Sequence, residues 1–170
     1  MASLAKSIVI LRDQINKRHP TRSKASDGTW PSAAHRRQSP NSDHNHGNAV
    51  DFTHDPRSGF SSEKLADHLR QARDPRLKYV ISNGKISSAK TGWRWAKYSG
   101  KNRHDKHVHI SVHRAADSER PWSLPAMGPR LGIADIEQPS TSEITDQVTD
   151  EGADEIAEEM SPEEGQALED

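Results

Sequence analysis

The sequence contains no cysteine among its 170 residues. Disulfide bonds and thiolate metal sites are therefore excluded, and any bound metal must be held by His, Asp or Glu. Apolar residues are also scarce, since only 31% of the chain is hydrophobic and its mean hydropathy is -0.99. Such a composition cannot supply a core for the whole length. We expect one folded domain over residues 1–120, then a Pro/Gly linker and a disordered acidic tail over residues 121–170.

Long hydrophobic runs are absent as well. No segment approaches the roughly 20 apolar residues that a membrane span requires. The short apolar patch within residues 1–11 lacks a basic segment before it and a small-residue cleavage site after it, so it does not fit a signal peptide. We expect no membrane partner, no signal peptide, and synthesis in a (host) cytoplasm with action on its target only after release.

Charge is divided unequally along the chain. Residues 1–130 hold all 24 Lys and Arg and only 11 of the 25 acidic residues, which gives a net charge of +13. Residues 131–170 hold no Lys or Arg and carry a net charge of −14. A block of one sign is typical of a solvated tail. The basic part should attract polyanions, which include nucleic acid and anionic wall polymers, and charge alone does not choose between them.

Hydrophobic periodicity indicates the fold class. Helical spacing predicts one helix over residues 3–18 and another from Ser61 or Ser62 to about Arg73. The Asn83-Gly84 pair predicts a tight hairpin turn. Four short strands are predicted, at residues 49–53, 77–82, 85–87 and 108–112, with long loops over residues 19–48 and 88–106. This order predicts a small α+β domain with an antiparallel sheet, two or more helices and long loops around a central zinc site.

One segment carries a metal-binding pattern. Residues 42–51 match S-x-H-x-x-G-x-A-x-D at every fixed position. His44 in a loop and Asp51 in a strand can reach one ion, because Gly47 permits the sharp turn between them. A catalytic zinc site has three protein ligands and one water. The third ligand is expected from residues 104–109, where His107 and His109 project from the same face of a strand.

These two motifs resemble those of the zinc D-alanyl-D-alanine carboxypeptidase and dipeptidase family, within the wider group of lysostaphin-type and murein endopeptidases. The H-D-x-H-x-H string is similar to that of the penicillin-insensitive murein endopeptidases, and the resemblance covers roughly residues 1–113. It implies zinc ligands at His44, Asp51 and His109. It also implies that His107 is the general base, that His104 polarises the developing oxyanion, and that Ser42 hydrogen-bonds the substrate.

The implied activity is hydrolysis of amide bonds in peptidoglycan stem peptides or cross-links, as in a phage endolysin, by a zinc-dependent monomer. Many members of the family use a Glu shortly before the last His. Here Glu63 and Glu119 are the only glutamates before the tail, so His107 is expected to take that role. Arg22, Lys24, Arg36 and Arg37 are candidates for clamping a substrate carboxylate, and we expect Arg37 to do so.

Two other classes of function stay open. The basic domain and the string DHNH at residues 43–46 would suit a His-metal nuclease. A non-catalytic zinc-containing module that binds the cell wall or belongs to a virion is the other alternative. The spacing of His44, Asp51 and the late H-x-H favours the peptidase, so nucleic acid is not the expected partner. Trp93, Trp95 and Tyr98 either line the substrate groove or pack in the core.

Overall fold

The computed structural model describes residues 3–128, which form a five-stranded antiparallel sheet and three α-helices. The predicted α+β class is confirmed, while the predicted acidic tail lies outside the described residues. The helices are α1 (Lys6–Arg18), α2 (Ala33–Gln38) and α3 (Ser62–Ala72), and the strands are β1 (Ala49–Thr53), β2 (Leu77–Ser82), β3 (Lys85–Ser88), β4 (Ala96–Lys97) and β5 (His107–Val112). Their order in the sheet is β1-β5-β2-β3-β4.

The two faces of β1 and β5 have different chemistry. Because side chains alternate along a strand, Val50 and Phe52 of β1 and Val108 and Ile110 of β5 point into the core that α1 and α3 cover. The residues between them point to the other face, where a cavity lies. The ladder pairs Asp51 with His109 and Thr53 with His107. The polar face of these two strands is therefore the place where the motif residues meet.

Helix α1 is held by its apolar face and by a distant acid. Ile8, Leu11 and Ile15 recur at helical spacing and are fully buried. The residue before the helix, Ala5, offers no side chain to cap it. Asp117 does so instead, and its carboxylate accepts from the backbone N–H groups of Lys6 (2.9 Å) and Ser7 (2.8 Å). None of the helices in residues 3–128 has the length and apolar character needed to cross a bilayer.

The core extends past the predicted domain boundary at residue 120. Trp122 is 4% exposed, and its indole N–H donates to the Ser7 carbonyl at 2.8 Å. The guanidinium of the buried Arg76 lies 4.0 Å from the centre of the same indole ring. Packing of the domain therefore includes this part of the segment that the sequence assigned to the linker.

The two predicted loops contain short elements that periodicity does not reveal. Helix α2 buries none of its six residues, so it has no apolar stripe to detect. Strand β4 has two residues and pairs with β3. Trp93 and Trp95 pack against the main core, and Tyr98 belongs to a second buried cluster. These three aromatic residues therefore pack in the interior, and none of them lines the cavity described below.

Candidate metal centre

Three side chains from separate elements converge in the lining of one cavity. His44 comes from a 3₁₀ turn (Asp43–His46), Asp51 from β1 and His109 from β5. Asp51 Oδ1 lies 3.0 Å from His109 Nδ1, and His44 Nε2 lies 3.2 Å from His109 Nδ1 and 3.3 Å from Asp51 Oδ2. One possible ligand atom of each residue lies within 4.8 Å of the other two. The three residues that were predicted from the sequence as metal ligands are therefore close together in the fold.

Local geometry around the turn fixes the position of His44. The Ser42 hydroxyl accepts from the His44 backbone N–H at 3.3 Å and caps the 3₁₀ turn. Gly47 ends the turn with a φ of +70°, a conformation that favours glycine. A Cβ at Gly47 would lie 2.6 Å from the Ser3 carbonyl oxygen and 2.9 Å from the ring of Trp30. Both the backbone angle and the lack of space explain the glycine of the motif.

The imidazoles of His44 and His109 are each oriented by a hydrogen-bond partner of the ring nitrogen that faces away from Asp51. His44 Nδ1 lies 3.2 Å from the Thr29 carbonyl. A carbonyl can only accept, so Nδ1 carries the proton and the lone pair of the neutral ring lies on Nε2. His109 Nε2 lies 3.0 Å from Ser111 Oγ, which leaves Nδ1 facing Asp51 and His44. Such outer contacts are the usual support of metal-binding histidines.

The carboxylate of Asp51 completes a donor set that suits a cation. Burial opposes ionisation of this carboxyl group, but the electrostatic interaction with His44 and the hydrogen bond with His109 outweigh it. The pKa of Asp51 is consequently held well below its usual value. Two imidazole nitrogens and an ionised carboxylate facing one point form a group that can hold a metal ion.

The cavity beside this group has a volume of about 380 Å³. One wall is the segment of residues 26–35, and Gly28 in it pairs with Asp51 through two backbone hydrogen bonds of 2.8 and 3.3 Å. Asn102, His104 and His107 also line the cavity. Trp30, which is 40% exposed, lines the cavity too. The cavity thus combines a possible metal site with two further imidazoles and an aromatic surface.

His104 and His107 are in contact but differ in environment. Their ring centroids lie 4.8 Å apart. Burial, reinforced by repulsion from His109, lowers the pKa of His104 to about 3. His104 Nδ1 lies 2.8 Å from the Asn102 carbonyl, so Nδ1 bears the proton and Nε2 is an acceptor. His107 is half-buried. The predicted role of His104 as a polariser of the oxyanion stays a prediction.

Two residues predicted to bind substrate do not line the cavity. Ser42 is 1% exposed and its hydroxyl caps the turn that carries His44. Arg37 is exposed on α2, and the residue of that helix that lines the cavity is His35. His46, within the motif, is exposed, as its free position in the pattern suggested. Substrate binding by Ser42 or Arg37 stays a prediction without a structural contact.

Three residues that hydrogen-bond to histidines of the site were not predicted from the sequence. Ser111 follows His109 by two positions on β5, so strand alternation applied to H-x-H-x-S would have placed it on the same face. Thr29 and Asn102 act through backbone carbonyls. A carbonyl is common to every residue, so neither has a side-chain pattern that sequence could reveal.

Comparison with known proteins gives one match. The model of a protein family described as "VldE, C-terminal domain" matches residues 4–109. This range covers more than half of the chain and includes His44, Asp51, His104, His107 and His109. No curated protein and no solved structure matches the chain significantly.

Proposed function

The chain belongs to the VldE C-terminal domain family, and we propose that it is a zinc-dependent peptidase that hydrolyses amide bonds in peptidoglycan stem peptides or cross-links. The observation that supports this proposal is the grouping of His44, Asp51 and His109 in a cavity that also contains His104 and His107. The substrate class comes from the resemblance of both motifs to those of the murein peptidases.

The choice of zinc follows from the donor atoms. Two imidazole nitrogens and one carboxylate oxygen are a common set of protein ligands in catalytic zinc sites. Magnesium and calcium prefer sites built from oxygen ligands, which His44 and His109 do not provide. A bound zinc ion supplies a Lewis acid for the scissile carbonyl and a water of near-neutral pKa.

His107 is assigned the proton transfers. It projects from β5 on the same face as His109, lines the cavity, and is less buried than His44 and His109, which are two of the three possible ligands. His44, Asp51 and His109 already supply the three protein ligands of a catalytic zinc site. A ring nitrogen of His107 can accept a proton from the attacking water and donate it to the leaving amine.

His104 is assigned a positioning role. Its ring meets that of His107 at an interplanar angle of 68°, and its Nδ1–H is held by the Asn102 carbonyl. Its Nε2 is therefore an acceptor, which can orient a proton-bearing group in the cavity. The oxyanion contact expected from the sequence stays a separate prediction.

Mass spectrometry of fragments released from purified sacculi tests the proposal. The zinc-loaded protein should release soluble fragments with new amino and carboxyl ends in the stem peptides. His107→Ala should reduce the rate of release by roughly 10²–10⁴, the usual contribution of a general base. His46→Ala is the matched control, because His46 lies in the same motif, is exposed and does not line the cavity.

The alternatives predict different results from the same preparations. A His-metal nuclease would nick plasmid DNA and release nothing from sacculi. A non-catalytic wall-binding module would bind zinc and sediment with sacculi, again without new peptide ends. Either pattern would overturn the peptidase proposal.

A further inference from the structure

Four exposed cations lie together at the β3–β4 end of the sheet, and we call this group the cationic edge. It consists of Lys85 on β3, Lys97 on β4, and Lys101 and Arg103 in the loop that leads to β5. Lys85 and Lys97 are directly opposite each other in the β3–β4 ladder. The Arg103 carbonyl accepts from the Gly84 N–H at 2.7 Å, and a guanidinium nitrogen of Arg103 lies 3.2 Å from where a Gly84 Cβ would be.

These cations have no acidic partner within residues 3–128. None of the four forms an ion pair among the described residues, although other surface cations do so. Asp105 is exposed nearby, and Glu63 accepts instead from the Asn83 amide at 3.3 Å. Like charges placed directly opposite each other destabilise a sheet. Lysines on an edge strand can prevent edge-to-edge pairing, but this explains Lys97 and not Lys101 or Arg103.

We propose that the acidic segment of residues 131–170 binds the cationic edge of the same chain. This segment has a net charge of −14 and contains no Lys or Arg, so it complements a surface that has no acidic partner. It is connected to the described domain at residue 128. A chain spans at most about 3.5 Å per residue, so a segment of this length can reach any part of a small domain. Tethering also gives it an effective concentration in the millimolar range.

The location of the cationic edge gives this contact a consequence. Arg103 lies between Asn102 and His104, and both of these neighbours line the cavity. The bound segment would therefore lie beside the cavity and compete there with any external polyanion. This inference concerns charge and position, and it holds whether or not the cavity is a peptidase site.

Paramagnetic relaxation in the full chain tests the proposal. Because the sequence has no cysteine, Ala153→Cys creates a single attachment point for a nitroxide within the acidic segment. At about 0.01 M salt, where the Debye length is about 30 Å, the label should broaden backbone amide signals of residues 85–106. At about 1 M salt, where it is about 3 Å, the broadening should disappear.

Two matched triple variants identify the surface. Reversing charge with Lys97→Glu, Lys101→Glu and Arg103→Glu in the labelled chain should abolish the broadening at low salt. Lys17→Glu, Arg57→Glu and Lys64→Glu reverse three exposed cations elsewhere, and this variant should keep it. The amide spectrum shows directly whether each variant is folded, and the salt series in the otherwise unchanged chain does not depend on either variant.

Several outcomes would overturn the proposal. They are absence of broadening at low salt, broadening spread evenly over the domain, or broadening that survives reversal of the cationic edge. The proposal would also be overturned if added teichoic acid or DNA shifted the backbone amide signals of residues 85–106 while the nitroxide label did not broaden them. The cationic edge would then bind an external polyanion and not the acidic segment.

Discussion

Asp51 and His109 lie directly opposite each other in the β1–β5 ladder, with Asp51 Oδ1 3.0 Å from His109 Nδ1. A shift of one residue would pair Asp51 with Val108 or Ile110, which are core residues. It would also turn every side chain of the shifted strand to the opposite face. The hydrophobic pattern that builds the core therefore also fixes the relative position of two possible metal ligands. Geometry at the site is a consequence of strand register.

The first prediction concerns the possible ligands. The protein should bind one zinc ion per chain, and His44→Ala, Asp51→Ala and His109→Ala should each abolish stoichiometric binding, because each removes one of three protein ligands. Metal content after dialysis, measured by mass spectrometry, checks this. His46→Ala should keep one zinc ion per chain. Full occupancy in His109→Ala would show that the ligand assignment is wrong.

The second prediction concerns the support of His109. Ser111→Ala removes the partner of the outer nitrogen and should weaken zinc affinity by about 10–100-fold, as measured by competition with a chelator. Ser87→Ala is the matched control, because Ser87 is also a buried serine in the sheet and its hydroxyl has no hydrogen-bond partner among the described residues. Equal affinities for the two variants would contradict a role for Ser111 at the site.

Sequence was sufficient for the elements that carry apolar patterns. β1 and β2 were predicted with their observed bounds, and α1, α3 and β5 were predicted to within a few residues. α2 and β4 were not predicted, because a short helix with no buried residue and a two-residue strand produce no periodicity. The same distinction applies to the site. Motif spacing identified His44, Asp51 and His109, whereas the backbone partners and the wall at residues 26–35 depend on tertiary structure.

The third prediction concerns the distant cap of α1. Asp117→Asn should lower the free energy of unfolding by roughly 0.3–1 kcal/mol, because it removes the negative charge that accepts hydrogen bonds at the N-terminus of α1. Burial opposes ionisation of Asp117, but hydrogen bonds from Ser7 and Lys6 together outweigh it and lower the pKa. Its stabilising effect is therefore present above the unfolded pKa of about 3.9 and is lost as pH falls through the lower folded pKa.

Urea unfolding of Asp117→Asn at neutral and acidic pH checks both parts. The difference in free energy of unfolding between Asp117→Asn and the unsubstituted protein should be smaller at acidic pH. Asp13→Asn serves as the control, because Asp13 is exposed on the same helix and, within residues 3–128, accepts only two long hydrogen bonds, of 3.4 and 3.5 Å, from the neighbouring Arg12. A loss of stability in Asp13→Asn equal to that in Asp117→Asn would argue against specific capping.

We propose that the cavity is a catalytic zinc centre in which His107 transfers protons without binding the metal. The most direct test is to measure zinc content and turnover on purified peptidoglycan together in His107→Ala. We predict one zinc ion per chain, an unchanged melting temperature, and turnover reduced by roughly 10²–10⁴. Loss of zinc from His107→Ala with retention in His109→Ala would reverse the two roles. Retention of both zinc and full turnover would contradict the account.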